Sequence, residues 1–158
     1  MSAMSFFAQD DSNCSVGRAV ALVGQPWVIL ILRDVTQGVR RFSDLQAHLG
    51  VSRSVLSDRL EHMVAGGILE LRDYQEPGSR RRSEYHLTEM GRDLYPALTA
   101  LRVWGDKYLA DPEGPATEVL HRGCGAPVRT ALMCAEGHVI STDDLERRPG
   151  PGARMRAA

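Results

Sequence analysis

Apolar residues recur at helical spacing over the first part of the chain, then alternate with polar ones, then return to helical spacing. Ser12 or Asn13 can cap a helix over about 14–23, and Gly24 stops it. Pro26 at a first-turn position restarts the chain as a helix over 27–36. Its Trp27, Ile29, Leu30, Ile31 and Leu32 cover most of the circumference, which predicts the buried centre of a domain. Gln37-Gly38 ends it, and 39–42 can run briefly extended. Ser43 then caps a short helix with Leu45 and Leu49 facing inward. After a tight turn at Gly50-Val51, Ser52 caps a helix reaching about Ala65, with Leu56, Leu60, Met63 and Val64 as its buried stripe. Its opposite face carries Arg53, Ser54, Ser57, Asp58 and Glu61. Two short helices joined this way form a helix-turn-helix, a device for placing one helix end in the major groove of DNA.

Past the stop at Gly66-Gly67, residues 68–74 alternate apolar and polar and read as a half-buried strand. Pro77 and Gly78 make 75–82 a loop, and 83–87 alternate again as the partner strand. Thr88, followed by Glu89, opens a long helix running to about Leu109, with Leu94, Leu98, Leu101, Trp104 and Tyr108 in one stripe. So small a domain has little surface of its own to cover that stripe, so a two-fold partner is the economical way to bury it. Packing against the first helix is the alternative, and both can hold for different parts of the helix. Residues 111–115 break the helix, and short β-like stretches follow at 128–134 and 138–140. The expected organisation is a flexible arm over 1–13, a DNA-binding and dimerisation domain over 14–110, a linker and β-rich appendage over 111–148, and a disordered tail over 149–158. The fold class is mainly α, of α+β type: a winged helix-turn-helix with a long C-terminal dimerisation helix and a small β-rich appendage.

Charge narrows the ways such a domain can hold DNA. The 158 residues carry 19 Lys and Arg against 20 Asp and Glu, a net charge of −1. Any grip on nucleic acid must come from local patches rather than a global field. Lys107 is the only lysine; arginine's planar fork suits phosphate and guanine, though a GC-rich genome gives the same skew. Three cysteines, Cys14, Cys124 and Cys134, are too few and too scattered for a disulfide framework. The N-terminus lacks the basic and apolar regions of a signal peptide, and the longest apolar run, 27–32, is too short to span a membrane. A cytoplasmic protein is expected.

The candidate DNA contacts are Ser52, Arg53, Ser54, Ser57 and Arg59 on and beside the exposed face of the second helix, with Arg40 and Arg41 leading into it. Hydroxyls and a helix N-terminus can bind phosphate, and Arg53 can fork onto a guanine edge. The competing reading pairs Arg53 or Arg59 with Asp58 or Glu61 on a solvated face. Arg80, Arg81 and Arg82 form the densest positive cluster and suit phosphate or the minor groove; a merely solvated loop is the alternative. In the appendage His121, Cys124, Cys134 and His138 spell H-x2-C-x9-C-x3-H, four ligand types that can close a tetrahedral zinc site. The spacing is not that of a standard finger, and a metal-free appendage competes with it. No catalytic constellation is present, and no cofactor other than zinc is suggested.

The order of motifs resembles the HxlR-type winged helix regulators over about Cys14 to Leu109. The resemblance rests on the opening Cys14 helix, Gln25-Pro26-Trp27 before Ile29-Leu30-Ile31-Leu32-Arg33, Arg41-Phe42-Ser43-Asp44-Leu45 and Leu56-Ser57-Asp58-Arg59-Leu60. Glu84-Tyr85-His86-Leu87-Thr88, Gly91 and Trp104-Gly105-Asp106 complete it. It implies a bacterial transcription factor that works as a homodimer on double-stranded DNA, here taken as a repressor. Two recognition helices related by a two-fold would address an inverted repeat with half-sites roughly 34–36 Å apart. The resemblance also implies redox sensing at Cys14, whose helix N-terminal position with Arg18 one turn later favours a thiolate; a packed, inert thiol is the alternative. A small apolar effector in a space lined by Trp27, Trp104 and Tyr108 is a second candidate signal. Rival readings are a winged-helix protein-interaction module that does not touch DNA and a metal-dependent sensor acting through the tail.

Overall fold

The computed structural model describes residues 10–75 and 81–154. The chain divides into two compact units, Val20–Leu98, and Met1–Ala19 together with Thr99–Ala158. The boundaries fall within helices α1 (Ser15–Val23) and α6 (Tyr95–Tyr108).

The first unit is built around α2 (Val28–Thr36), whose Val28, Ile31, Leu32 and Val35 are buried at i, i+3, i+4 and i+7. The helix is the buried centre expected, but not every apolar residue named for it is covered: Trp27 and Leu30 are each 37% exposed. The helix also starts one residue later than expected. Trp27 sits outside it in a left-handed conformation, φ 76°, unusual for a side chain of that bulk. Leu45 from α3 (Phe42–Leu49) and Leu56, Leu60 and Met63 from α4 (Arg53–Ala65) complete the helical core with Ile68 and Leu69. At roughly 25 cal/mol per Å² of apolar surface, such a cluster is the main force holding the three helices together.

Gly50 makes the turn between α3 and α4 at φ 65°, a left-handed C-cap that glycine adopts without steric cost. Ser52 caps α4 as expected, accepting the Val55 N–H at 3.3 Å. Ser43 does not cap α3. Phe42 is already helical, the Arg41 backbone precedes it, and the Ser43 hydroxyl donates to Asp44 instead. One buried charge ties the helix pair down: Asp34, 2% exposed, accepts from Arg33 Nε at 2.8 Å and lies 2.7 Å from His48 Nδ1.

Strands β1 (Leu69–Tyr74) and β2 (Arg82–Leu87) pair antiparallel, from Leu69 opposite Leu87 to Tyr74 opposite Arg82. The chain before α3 meets the free edge of β2, where the Tyr85 N–H donates to the Arg40 carbonyl at 2.9 Å. Thr88 accepts the Gly91 N–H and donates back to Gly67, locking the exit from the hairpin. The single long helix expected beyond it is interrupted. A short helix, α5 (Glu89–Arg92), stops before α6 begins at Tyr95. Pro96 explains the break: it has no N–H for the Arg92 carbonyl, and its ring crowds that carbonyl.

In the second unit the apolar residues of α6 beyond Leu98 are uncovered: Leu101, Trp104 and Tyr108 are 53, 56 and 59% exposed. Leu94 and Leu98, by contrast, pack on the first unit's core. The stripe therefore divides along its length, its first part packed on the core and its later part uncovered. The appendage contains β3 (Leu132–Met133) paired with β4 (Val139–Ile140), and a one-bridge hairpin closed by Leu120 and Pro127. Segments expected to be unstructured meet here: Asp10 N–H donates to the Arg154 carbonyl, and Asn13 Nδ2 to that of Gly152. No single described helix is long and apolar enough to cross a membrane.

Candidate nucleic-acid interface

The first turn of α4 is exposed and carries Ser52, Arg53 and Ser54. Four N–H groups at a helix start have no intrahelical partner, and the helix dipole favours anions there. Ser52 uses its oxygen on one of them, and its hydroxyl lies 3.2 Å from that of Ser54. The Arg53 guanidinium lies over the Phe42 ring, 5.1 Å from its centroid. It has no acidic partner among the described residues, so the expected competition from Asp58 or Glu61 does not arise. An aromatic platform orients a planar cation without consuming its N–H donors. Phe42, read from sequence only as a motif residue, is this platform.

Arg59 is the reverse case. Its Nε donates to the Pro26 carbonyl at 3.2 Å, its NH1 pairs with Asp58, and its side chain is only 23% exposed. The competing reading, a pair with Asp58, describes Arg59 in the structure, and its second contact fastens α4 to the turn before α2. Ser57 donates to Glu61 across one turn at 3.0 Å. Arg41 is held too, with Nε 3.3 Å from Glu84 and its guanidinium 4.7 Å from the Tyr74 ring centroid. Arg40 is exposed and has no side-chain partner among the described residues.

On the wing, Arg80 lies outside the described residues. Arg81 forms an ion pair with Asp73, which offsets part of the wing's positive charge. The hydrogen bond from Ser83 first, and then Arg81, hold the Asp73 carboxyl below its ordinary value. Arg82, opposite Tyr74 at the start of β2, remains exposed. Behind the hairpin, burial first and then the charge of Glu61 push the Tyr85 hydroxyl's pKa up.

Other expected sites fare differently. Cys14 is exposed, and its sulfur accepts the Gly17 N–H at 3.4 Å, so it takes the capping position assigned to Asn13 or Ser12. Arg18 turns away to bond Asn13 at 3.2 Å. The tetrahedral set His121, Cys124, Cys134 and His138 is not assembled. His121 Nδ1 lies 3.2 Å from Cys124 Sγ at one hairpin tip, and His138 Nδ1 3.4 Å from Cys134 Sγ at the other. Each tip closes on itself through its own backbone bonds, Gly125 N–H to His121 and Gly137 N–H to Cys134. Among the described residues no three metal-ligating side chains gather around one point. Of the residues read as lining an effector space, Trp27 belongs to one unit and Trp104 and Tyr108 to the other. The Trp104 and Tyr108 rings meet in a tilted contact, their centroids 5.6 Å apart at 49°. A cleft of about 310 Å³ beside α6 is lined by Arg102, Val103, Asp106, Val119, Pro127 and Val128, among others.

The comparisons agree with this geometry. Residues 22–113 match the HxlR-like helix-turn-helix family. The HTH-type transcriptional regulator Rv3095 of Mycobacterium tuberculosis is 43% identical over 145 residues, covering 91% of this chain and 90% of that protein. The similarity therefore runs into the appendage. Among solved structures, PA1607, a candidate transcription factor, superposes with a TM-score of 0.78 at 31% identity over 88% of this chain and 96% of its own. A second candidate transcription factor, PA1374 of Pseudomonas aeruginosa, gives 0.61 at 31% identity over 89% and 95%. With its capped helix-turn-helix, its wing and this run of relatives, the chain belongs to the HxlR-like helix-turn-helix family of DNA-binding transcriptional regulators.

Proposed function

We propose that the protein is a cytoplasmic homodimeric repressor that reads an inverted-repeat operator, with α4 in the major groove and the β1–β2 wing on the flanking backbone or minor groove. Arg53 carries the reading: it is exposed at the first turn of α4, laid on Phe42 and unclaimed by any described carboxylate. Ser52 and Ser54 supply phosphate contacts beside it, and Arg40 and Arg82 extend the electrostatic grip. The second copy covers Leu101, Trp104 and Tyr108, whose exposure side by side on one helix is costly in water. Release from DNA follows oxidation at Cys14, which is exposed to solvent oxidants.

Replacing Arg53 with Ala separates base reading from general attraction. The account predicts a loss of about 1–3 kcal/mol of discrimination at a single base position, with a nearly unchanged salt slope. Competition binding against operators varied at one position measures it. A variant that discriminates as the parent does would remove α4 as the reading element.

A further inference from the structure

A second basic cluster lies away from the first turn of α4, on residues that come together only in the fold. A cleft of about 250 Å³ is lined by Arg40, Arg72, His86 and Arg92, with Val35, Thr36 and Leu87 completing the lining. The strand register explains the convergence. Arg72 pairs with Glu84 and Glu70 with His86, so these four side chains share the sheet face opposite the one that carries Leu69 and Leu87 toward the core. Arg72 and His86 are diagonal neighbours on that face. Arg40 joins them because its carbonyl holds the edge of β2 through Tyr85. Arg92 joins from α5, with its NH1 fixed on the Leu87 carbonyl at 2.8 Å.

Charge in the cleft is not balanced from within. Glu70 answers Arg72, with Arg72 Nε 2.9 Å from its carboxylate. Glu84 is shared between Arg41 and His86. Arg92 is held by a neutral carbonyl, and Arg40 has no side-chain partner among the described residues. Like charges around a small concave site raise the local potential, and a phosphate there would gain charge-assisted hydrogen bonds. The geometry points to an anion site for a phosphate group, seated between Arg40, Arg72 and Arg92. Two sources present that chemistry: a backbone phosphate of bound DNA, or a free phosphate-bearing small molecule acting as an effector at the wing root. Only the first source rests on the DNA-binding reading.

The full-length protein, titrated with inorganic phosphate against chloride at constant ionic strength, tests the site. Arginine Nε–H resonances and the melting temperature are the readouts. A saturable phosphate response, confined to Arg40, Arg72 and Arg92 among the arginines and weakened about tenfold in Arg40→Gln, is expected for the loss of one charge-assisted contact. The Arg40 side chain is exposed and has no partner among the described residues, so this variant keeps the fold; Arg72→Gln serves as the second. DNA binding of the same proteins identifies the source. A salt slope reduced by about one, with phosphate competing against DNA, assigns the site to the DNA backbone. An unchanged slope with phosphate binding lost assigns it to a free anion. No phosphate response beyond that of chloride overturns the proposal whatever the slope, because Arg40 counts toward the grip on DNA without it. Failure of the parent protein to bind any DNA while still binding phosphate would refute the regulator reading and leave the anion site standing.

Discussion

Arg53 and Arg59 lie on one helix and carry the same charge, yet their surroundings assign them opposite tasks. Arg53 rests on an aromatic ring with no acidic partner among the described residues, whereas Arg59 is spent on a backbone carbonyl and on Asp58. Periodicity places both near the exposed face and cannot separate them, because the deciding partner, Pro26, is remote in sequence. The wing has the same ambiguity. Arg81 reads as a free cation until the hairpin register brings Asp73 beside it. Asp73→Asn should release Arg81, raise DNA affinity and steepen the log–log salt dependence by up to about one. An equal or weaker affinity would show that the pair is neutral to binding. The pH dependence carries a definite sign. A carboxyl held below its ordinary value of 3.8 favours the folded state above that value, and its contribution is lost as pH falls through the lowered one. The Arg81 contact should therefore persist at neutral pH and dissolve only in strong acid.

At the scale of elements, much was legible because local rules and burial agree. The stripe Leu56, Leu60 and Met63, the Ser52 cap, the Gly50 turn and the alternation of the wing strands each appear where the pattern puts them. The disagreements have local causes that periodicity does not weigh. Pro96 splits the last helix although the apolar spacing runs through it, and Trp27 takes a left-handed conformation beside Pro26. Arg40, Arg72 and Arg92 come from three different elements, and no linear spacing announces their meeting. The histidine–cysteine pairs fail in the other direction: the spacing suggests one site, but each pair closes within its own turn. The packing between the hairpin and α5 is tight enough to test. A Cβ at Gly91 would stand 2.2 Å from the Ile68 carbonyl oxygen and 3.1 Å from Leu87 Cδ2. Gly91→Ala should destabilise the protein by about 1–3 kcal/mol, seen as a lower denaturation midpoint with an unchanged m-value. A neutral effect would mean that the junction yields readily.

For the whole molecule, a net charge of −1 leaves no general attraction to DNA, so binding depends on where a few arginines are held. One first turn of α4 offers too few contacts for an operator-grade affinity, which is why the uncovered Leu101, Trp104 and Tyr108 bear on function. A second copy docked there doubles the contacts and fixes their separation, making the spacing of half-sites a property of the dimer rather than of the helix-turn-helix. The most direct measurement is selection of bound DNA from a random pool by the full-length protein. The account predicts enrichment of an inverted repeat whose half-sites lie about one helical turn, or a whole number of turns, apart. Enrichment of a single unpaired half-site, or of no sequence at all, would contradict it.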